Sequence, residues 1–168
     1  MTTALISIRT AKQGDAAHIA DVYEDTWRHT YQGIIPHLPL SQMIARRGPA
    51  SWQRSLHEGM VALVLEFDSK VAGYVTLGRS RMRGTPYGGE LFELYVRPEF
   101  QGVGFGSRLF QAARLELEGR GIDGLCVWAL AENDIACTFY LHKGGRQISE
   151  GADQFGDRTL RKVAFAWQ

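Results

Sequence analysis

The stretch with the clearest chemical potential runs Glu93-Leu-Tyr-Val-Arg-Pro-Glu-Phe-Gln-Gly-Val-Gly-Phe-Gly-Ser107. Leu94, Tyr95 and Val96 have strand character and Pro98 stops the strand. The glycine-dense turn Gln101-Gly102-Val103-Gly104-Phe105-Gly106 then opens a helix at Ser107. Glycine lets the backbone take positive φ and approach a ligand closely, while the first N–H groups of a helix have no partner within it. Together with the positive end of the helix dipole, these donors make a cradle for a phosphate or pyrophosphate. A tight turn that binds nothing is the alternative reading of the same letters.

Two better-known glycine motifs do not fit. A dinucleotide fingerprint G-x-G-x-x-G would need glycine where the chain has Ser107 or Leu109. A P-loop would need Gly-Lys-Ser or Gly-Lys-Thr, and this segment has no lysine. What fits is Q-x-x-G-x-G, as Gln101, Gly104 and Gly106. Elsewhere, the histidines at 18, 29, 37, 57 and 142 have no ligand spacing, so no metal is expected. Cys126 and Cys137 form no C-x-x-C pair and read as reduced core thiols. Arg79, Arg81 and Arg83 share the glycine-bearing run Gly78 to Gly89, which reads as a mobile loop that is either a solvated turn or an anion site.

Several elements must position these residues. Ile6, Ile8 and Arg9 suggest an opening strand, and Gly14-Asp15 a turn with Asp15 capping the next helix. Ile19, Tyr23, Trp27 and Tyr31 recur every fourth residue and make one helical face aromatic. A second helix is predicted from Leu40 to Arg47, ended by Gly48-Pro49, with loop between Gly33 and Pro39. Met60 to Phe67 and Val71 to Leu77 read as an antiparallel hairpin, and Glu90 to Val96 as the next strand. A helix over Ser107 to Glu118, a buried strand over Leu125 to Leu130 and a short helix over Asn133 to His142 follow. Val163, Phe165 and Trp167 alternate as a last strand from Leu160, which could also support a homodimer edge. This order predicts an α/β fold, a mixed sheet with a βαβ step in its middle.

Composition bounds the rest. The 168 residues suit one domain, 1–168, and 45% hydrophobic with 22% charged residues excludes disorder, collagen and coiled coil. Nineteen Lys plus Arg against eighteen Asp plus Glu leave +1, which gives no net electrostatic case for nucleic acid or an anionic membrane. The longest apolar run, Met60 to Leu65, is far short of a bilayer span, and the N-terminus lacks the pattern of an export signal. A cytoplasmic, soluble protein is the expectation.

The segment Leu94-Tyr95-Val96-x-Pro98 followed by Gln101-x-x-Gly104-x-Gly106 resembles the acetyl-CoA motif of the GCN5-related N-acetyltransferase (GNAT) superfamily. Asn133-x-x-Ala136-x-x-Phe139-Tyr140 is similar to that family's second signature, and Trp27, Tyr31 and the hairpin fall where the family places its acceptor-side elements. The resemblance spans nearly the whole chain. It implies a mostly antiparallel mixed sheet flanked by helices, with acetyl-CoA as cosubstrate and a small-molecule or peptide amine as acceptor. One departure is Gly144-Gly145, where the family usually has Gly-Phe, which puts the packing there in doubt.

By this resemblance, backbone N–H groups of Gln101, Gly102, Val103, Gly104, Phe105 and Gly106, with Ser107, hold the CoA pyrophosphate. Main-chain groups of Leu94, Tyr95 and Val96, splayed from the parallel neighbour, pair with the pantetheine arm, and one N–H polarises the thioester carbonyl. Asn133 supplies an amide to the pantetheine or caps its helix, and Ala136 lies in the same signature. An amine acceptor must lose a proton, so a carboxylate near the thioester is expected. Glu90 lies where histone-type members have their catalytic glutamate. Glu93, three residues on, faces the opposite side of a regular strand unless a bulge reverses the parity. Either could instead be a surface carboxylate paired with an arginine. Tyr140 matches the family's general acid for the leaving thiolate, or packs beside Phe139. Trp27 and Tyr31 border the acceptor or belong to the core. Two other classes stay open: a non-catalytic acyl-CoA sensor and a nucleotide phosphate binder.

Overall fold

The structure, a computed structural model, describes residues 5–168. Short-range turn chemistry starts the sheet. Strand β2 (Val61–Phe67) reverses into β3 (Lys70–Arg79) through Asp68 and Ser69, both at positive φ of 49° and 68°, as a two-residue hairpin requires. β1 (Ile6–Thr10) pairs antiparallel with β2, and β4 (Gly89–Val96) antiparallel with β3. Helix α4 (Phe105–Gly119) carries the chain over to β5 (Leu125–Leu130), which runs parallel to β4. β6 (Arg146–Phe155) and β7 (Arg158–Trp167) close a seven-stranded sheet of order β1-β2-β3-β4-β5-β7-β6. This is the mixed, mostly antiparallel sheet with a central βαβ unit expected from the sequence.

Alternation along the strands sends side chains to two cores. Val75, Leu77 and Leu91 pack with Leu109, Ala113 and Leu117 of α4 on one face. On the other, Val64 and Tyr74 pack with Ile19, Val22 and Tyr23 of α1 (Ala16–Tyr31) and Trp52 of α3 (Pro49–His57). α2 (His37–Arg46) joins that face through Leu40 and Ile44, and α5 (Asp134–His142) joins the α4 side through Tyr140. Among the described residues no helix is long and apolar enough to cross a membrane.

Four local expectations need correction. Asp15 occupies the cap position of α1, but its carboxylate accepts from both terminal nitrogens of the Arg9 guanidinium at 2.8 Å and from the Lys12 N–H at 2.7 Å instead of capping that helix. Pro49 starts α3 instead of merely ending α2, because the first helical position needs no N–H donor. For the same reason α2 begins at His37, with Pro39 in its first turn, and shortens the expected loop. Finally, β7 lies inside the sheet, not at an edge, so Phe165 and Trp167 are buried in the core, and the edge strand on that side is β6.

Trp167 also accounts for Gly145. A Cβ on Gly145 would stand 2.5 Å from the Trp167 ring and 2.8 Å from the Tyr140 carbonyl oxygen. The indole fills this space, and its N–H donates to the Lys143 carbonyl at 2.9 Å. Gly145→Ala is therefore expected to destabilise the fold by about 1–3 kcal/mol, the usual cost of overpacking. Chemical denaturation measures it, and an unchanged midpoint would contradict this packing.

Candidate active site

Residues 89–91 of β4 pair with residues 125–127 of β5, and the ladder stops there. Beyond Leu91 the two parallel strands diverge, leaving the β5-facing edge of β4 from Phe92 to Val96 without a strand partner. The gap opens into a cleft of about 670 Å³. Its walls are this β4 edge, Val127 to Ala129 of β5, the glycine turn with the start of α4, one side of α5 as far as Tyr140, and His29 to Tyr31 at the end of α1.

At one end the glycine turn presents donors. Gly102 and Gly104 have φ of 80° and 88°, and Gly104 occupies the α4 cap with no side-chain cap. The N–H groups of Phe105, Gly106 and Ser107, in the first turn of a 15-residue helix, consequently lack intrahelical partners and face a cleft that these residues line. Phe105 is buried against Phe67 and Phe100, which anchors the helix start. Gln101 has a bracing contact: its Nε2 donates to the Val96 carbonyl at 2.9 Å, tying the turn to the strand end and occupying one main-chain acceptor expected to be free. Val103 is exposed and lies outside the cleft lining.

The other end is governed by a bulge. Thr76 pairs with Glu93 but Leu77 with Leu91, so Phe92 is an extra residue in β4. Glu93 and Glu90 face Thr76 and Gly78, two residues apart on β3, so the bulge puts both carboxylates on the same face of the sheet. Only Glu93 reaches the cleft lining. Its Oε1 accepts from Arg47 Nη2 and its Oε2 from the Tyr74 hydroxyl, each at 2.8 Å. Arg47 in turn stacks over Trp52, 4.1 Å from the ring centroid. Burial opposes the Arg47 charge, but the Glu93 carboxylate more than compensates and holds the guanidinium above its ordinary pKa. Glu90 is fully buried beyond Phe92, bound to Arg81.

The aromatic residues of α1 divide. Tyr31 lines the cleft, its hydroxyl 3.1 Å from that of Tyr95. Trp27 lies behind them, 4.7 Å from the Tyr31 ring and 6.2 Å from that of Tyr95, and does not line the cleft. On α5, Asn133 accepts the Ala136 N–H at 3.2 Å as a helix cap and also lines the cleft with Ala136. Tyr140 packs between Phe110, Phe165 and Trp167 and borders the cleft, and burial pushes its hydroxyl above the ordinary tyrosine pKa.

Of the residues singled out in the sequence, Glu93 to Val96, the glycine turn apart from Val103, Asn133, Ala136, Tyr140 and Tyr31 converge on one cleft, while Glu90 and Trp27 stand behind its walls. Sequence reasoning missed Arg47 and Tyr74 as partners of Glu93, and Phe92, Trp128 and Glu132 as wall residues. Among the described residues no group of His, Cys, Asp and Glu is placed to hold a metal ion.

Comparison with known proteins bears on this cleft. The chain is 27% identical over 163 residues to YuaI, an uncharacterized N-acetyltransferase of Bacillus subtilis (strain 168), covering 97% of this chain and 93% of YuaI. Its fold is similar to that of the PaiA N-acetyltransferase of Thermoplasma acidophilum in complex with coenzyme A. There the TM-score is 0.74 at 21% identity, covering 94% of this chain and 98% of the other. It is similar also to YncA of Salmonella typhimurium with its cofactor acetyl-CoA, with a TM-score of 0.70 at 24% identity over 97% and 93% of the two chains. Residues 17–144, from the first turn of α1 to the glycine after α5, match the acetyltransferase (GNAT) family, and the chain belongs to that family.

Proposed function

We propose that the cleft binds acetyl-CoA and that the protein transfers its acetyl group to a primary amine by direct attack, without an acyl-enzyme. The observation that carries this reading is the divergence of β4 from β5 beside an uncapped glycine turn, an unpaired strand edge joined to an anion cradle. The similar folds solved with coenzyme A and acetyl-CoA support the same ligand. When bound, acetyl-CoA supplies a thioester whose acyl carbon is open to nucleophilic attack.

The chain's own groups then have distinct tasks. The N–H groups of Phe105, Gly106 and Ser107, with the backbone made accessible by Gly102 and Gly104, hold the diphosphate. The unpaired edge from Phe92 to Val96 offers main-chain donors and acceptors to an extended, amide-containing arm, and one N–H there stabilises charge developing on an oxygen. Glu93 takes the proton of the incoming ammonium. Arg47 and Tyr74 each occupy one lone-pair site of its carboxylate, and each oxygen retains another for the ammonium or a relaying water. Tyr140 gives its hydroxyl proton to the departing sulfur. Burial supports that role, because it keeps the phenol protonated at neutral pH. Neither cysteine lines the cleft, which agrees with direct attack.

A second reading, a non-catalytic acyl-CoA-binding module, draws on the Glu93 carboxylate being bridged by Arg47 and Tyr74. Calorimetry with acetyl-CoA and thiol release measured across a panel of amines separate the two. The acetyltransferase reading expects binding together with amine-dependent CoA release. Binding without release from any amine would leave the module, and absence of binding would end both.

A further inference from the structure

The loop between β3 and β4 carries an arginine whose placement the reaction does not explain. The Glu90 carboxylate beneath it is 0% exposed, yet the Arg81 side chain that neutralises it is 70% exposed. Glu90 Oε1 accepts the Arg81 backbone N–H at 3.0 Å, and Oε2 accepts Nε at 3.2 Å and Nη2 at 2.5 Å. The guanidinium carbon also stands 5.0 Å from the centroid of the Phe92 ring. A lone buried ion pair is a poor source of stability, because desolvating the carboxylate offsets the attraction. What this pair does achieve is order: the backbone and the guanidinium plane of Arg81 are both fixed. The Ser80 N–H donating to the Gly88 carbonyl at 2.8 Å closes the loop behind it.

Arg81 has five guanidinium N–H donors, and Glu90 engages two nitrogens along one edge, so Nη1 keeps both of its donors for another group. The guanidinium stands beside Phe92, which is 37% exposed and forms part of the cleft wall next to Glu93. The bulge brings Glu93, Phe92 and Glu90 to one face, so a carboxylate, an aromatic ring and a fixed guanidinium follow one another outward from the cleft. Two cations beside the cleft are already committed: Arg47 to Glu93, and Lys162 to Asp153 at 2.9 Å and to the Trp128 ring at 4.8 Å. The cleft lining itself holds Glu93, Glu132 and Asp134 but no lysine or arginine.

A negative interior with one ordered guanidinium at its rim is the pattern for an acceptor that carries both charges. We propose that Arg81 binds a carboxylate of the acceptor, and that the acceptor class is a small amino acid whose ammonium lies toward Glu93 and whose carboxylate meets Nη1 of Arg81. Glu90 acts as a positioning residue that holds the guanidinium in place. The inference rests on the acetyltransferase reading and narrows it to one substrate class.

The test uses α- and ω-amino acids, each against its own methyl ester, and reads the ratio of kcat/KM for acid over ester. The intact protein is expected to favour the acid by about tenfold or more, the worth of one charge-assisted bond pair. In Arg81→Gln the ratio falls to about one, and in Arg81→Lys to a value between, since lysine keeps the charge without the fork. Because Arg81→Gln leaves Glu90 buried without its cation, the double variant Arg81→Gln with Glu90→Gln is made alongside and should show the same collapse. A ratio near or below one in the intact protein, or an unchanged ratio in the folded variants, would overturn the proposal. Turnover of esters and simple amines without a preference for the acid sinks this inference alone, whereas no turnover with any amine sinks the acetyltransferase reading as well.

Discussion

Replacing Tyr140 with phenylalanine is expected to lower kcat by about a hundredfold or more, the range for removing a positioned general acid. The substitution deletes one hydroxyl and keeps the ring that packs on Phe110, Phe165 and Trp167, so the fold and the cleft walls survive it. The loss therefore belongs in kcat, measured by thiol release at saturating acceptor, and not in acetyl-CoA affinity measured by calorimetry. Burial raises the hydroxyl above its ordinary pKa of about 10, so the phenol is loaded with its proton throughout the neutral range and turnover shows no alkaline limb below that value. A Tyr140→Phe enzyme with undiminished kcat would remove the tyrosine from the reaction and leave the leaving sulfur to solvent.

The second large effect falls on the cofactor end. Gly104 has φ of 88°, and a Cβ built there meets nothing within 4 Å, because it would point into open space at the cleft wall. Valine at this position is disfavoured by roughly 1–2 kcal/mol in left-handed backbone geometry, and its methyl groups project where the bound anion must approach. Either the turn rearranges and the N–H groups of Phe105, Gly106 and Ser107 lose their common aim, or the side chain blocks them. Loss of two charge-assisted hydrogen bonds at about 1.5 kcal/mol each corresponds to roughly a hundredfold weaker acetyl-CoA binding. Calorimetry on Gly104→Val checks this, with circular dichroism confirming that the protein is folded. Affinity within twofold of the parent would mean that the diphosphate lies elsewhere.

The two ends of the cleft differ in how much of them can be read from the chain. The cradle is local in sequence: glycines 102, 104 and 106 and the helix they open lie within a few residues, so their chemistry follows from the letters. The hairpin through Asp68 and Ser69 is local too. The acceptor end is not. Arg47 and Glu93 are 46 positions apart, and nothing in the run around Arg47 marks it as other than the end of a helix. The bulge at Phe92 is a property of two paired strands, so a single strand read alone places Glu90 and Glu93 on opposite faces when they share one. Pro49 reads as a stop or a start with equal ease, because proline is compatible with both sides of a helix break. Gly145 in place of an aromatic residue reads as a loss, yet the space is filled by the ring of Trp167, on a terminal strand that the sequence offers as a candidate dimer edge and that lies inside the sheet. Conversely, Trp27 shares the spacing of Tyr31 but faces the interior, since a helical stripe wide enough to pack on a sheet exposes only its last turn to the cleft.

The proposed function rests on the open strand edge of β4 and the uncapped start of α4 acting as one binding surface for coenzyme A. An amide NMR titration with coenzyme A tests it residue by residue. The largest shifts are expected on the N–H groups of Phe105, Gly106 and Ser107 and on those of the β4 edge from Phe92 to Val96, saturating together. Saturating shifts confined to other parts of the protein, with these amides unmoved, would contradict it.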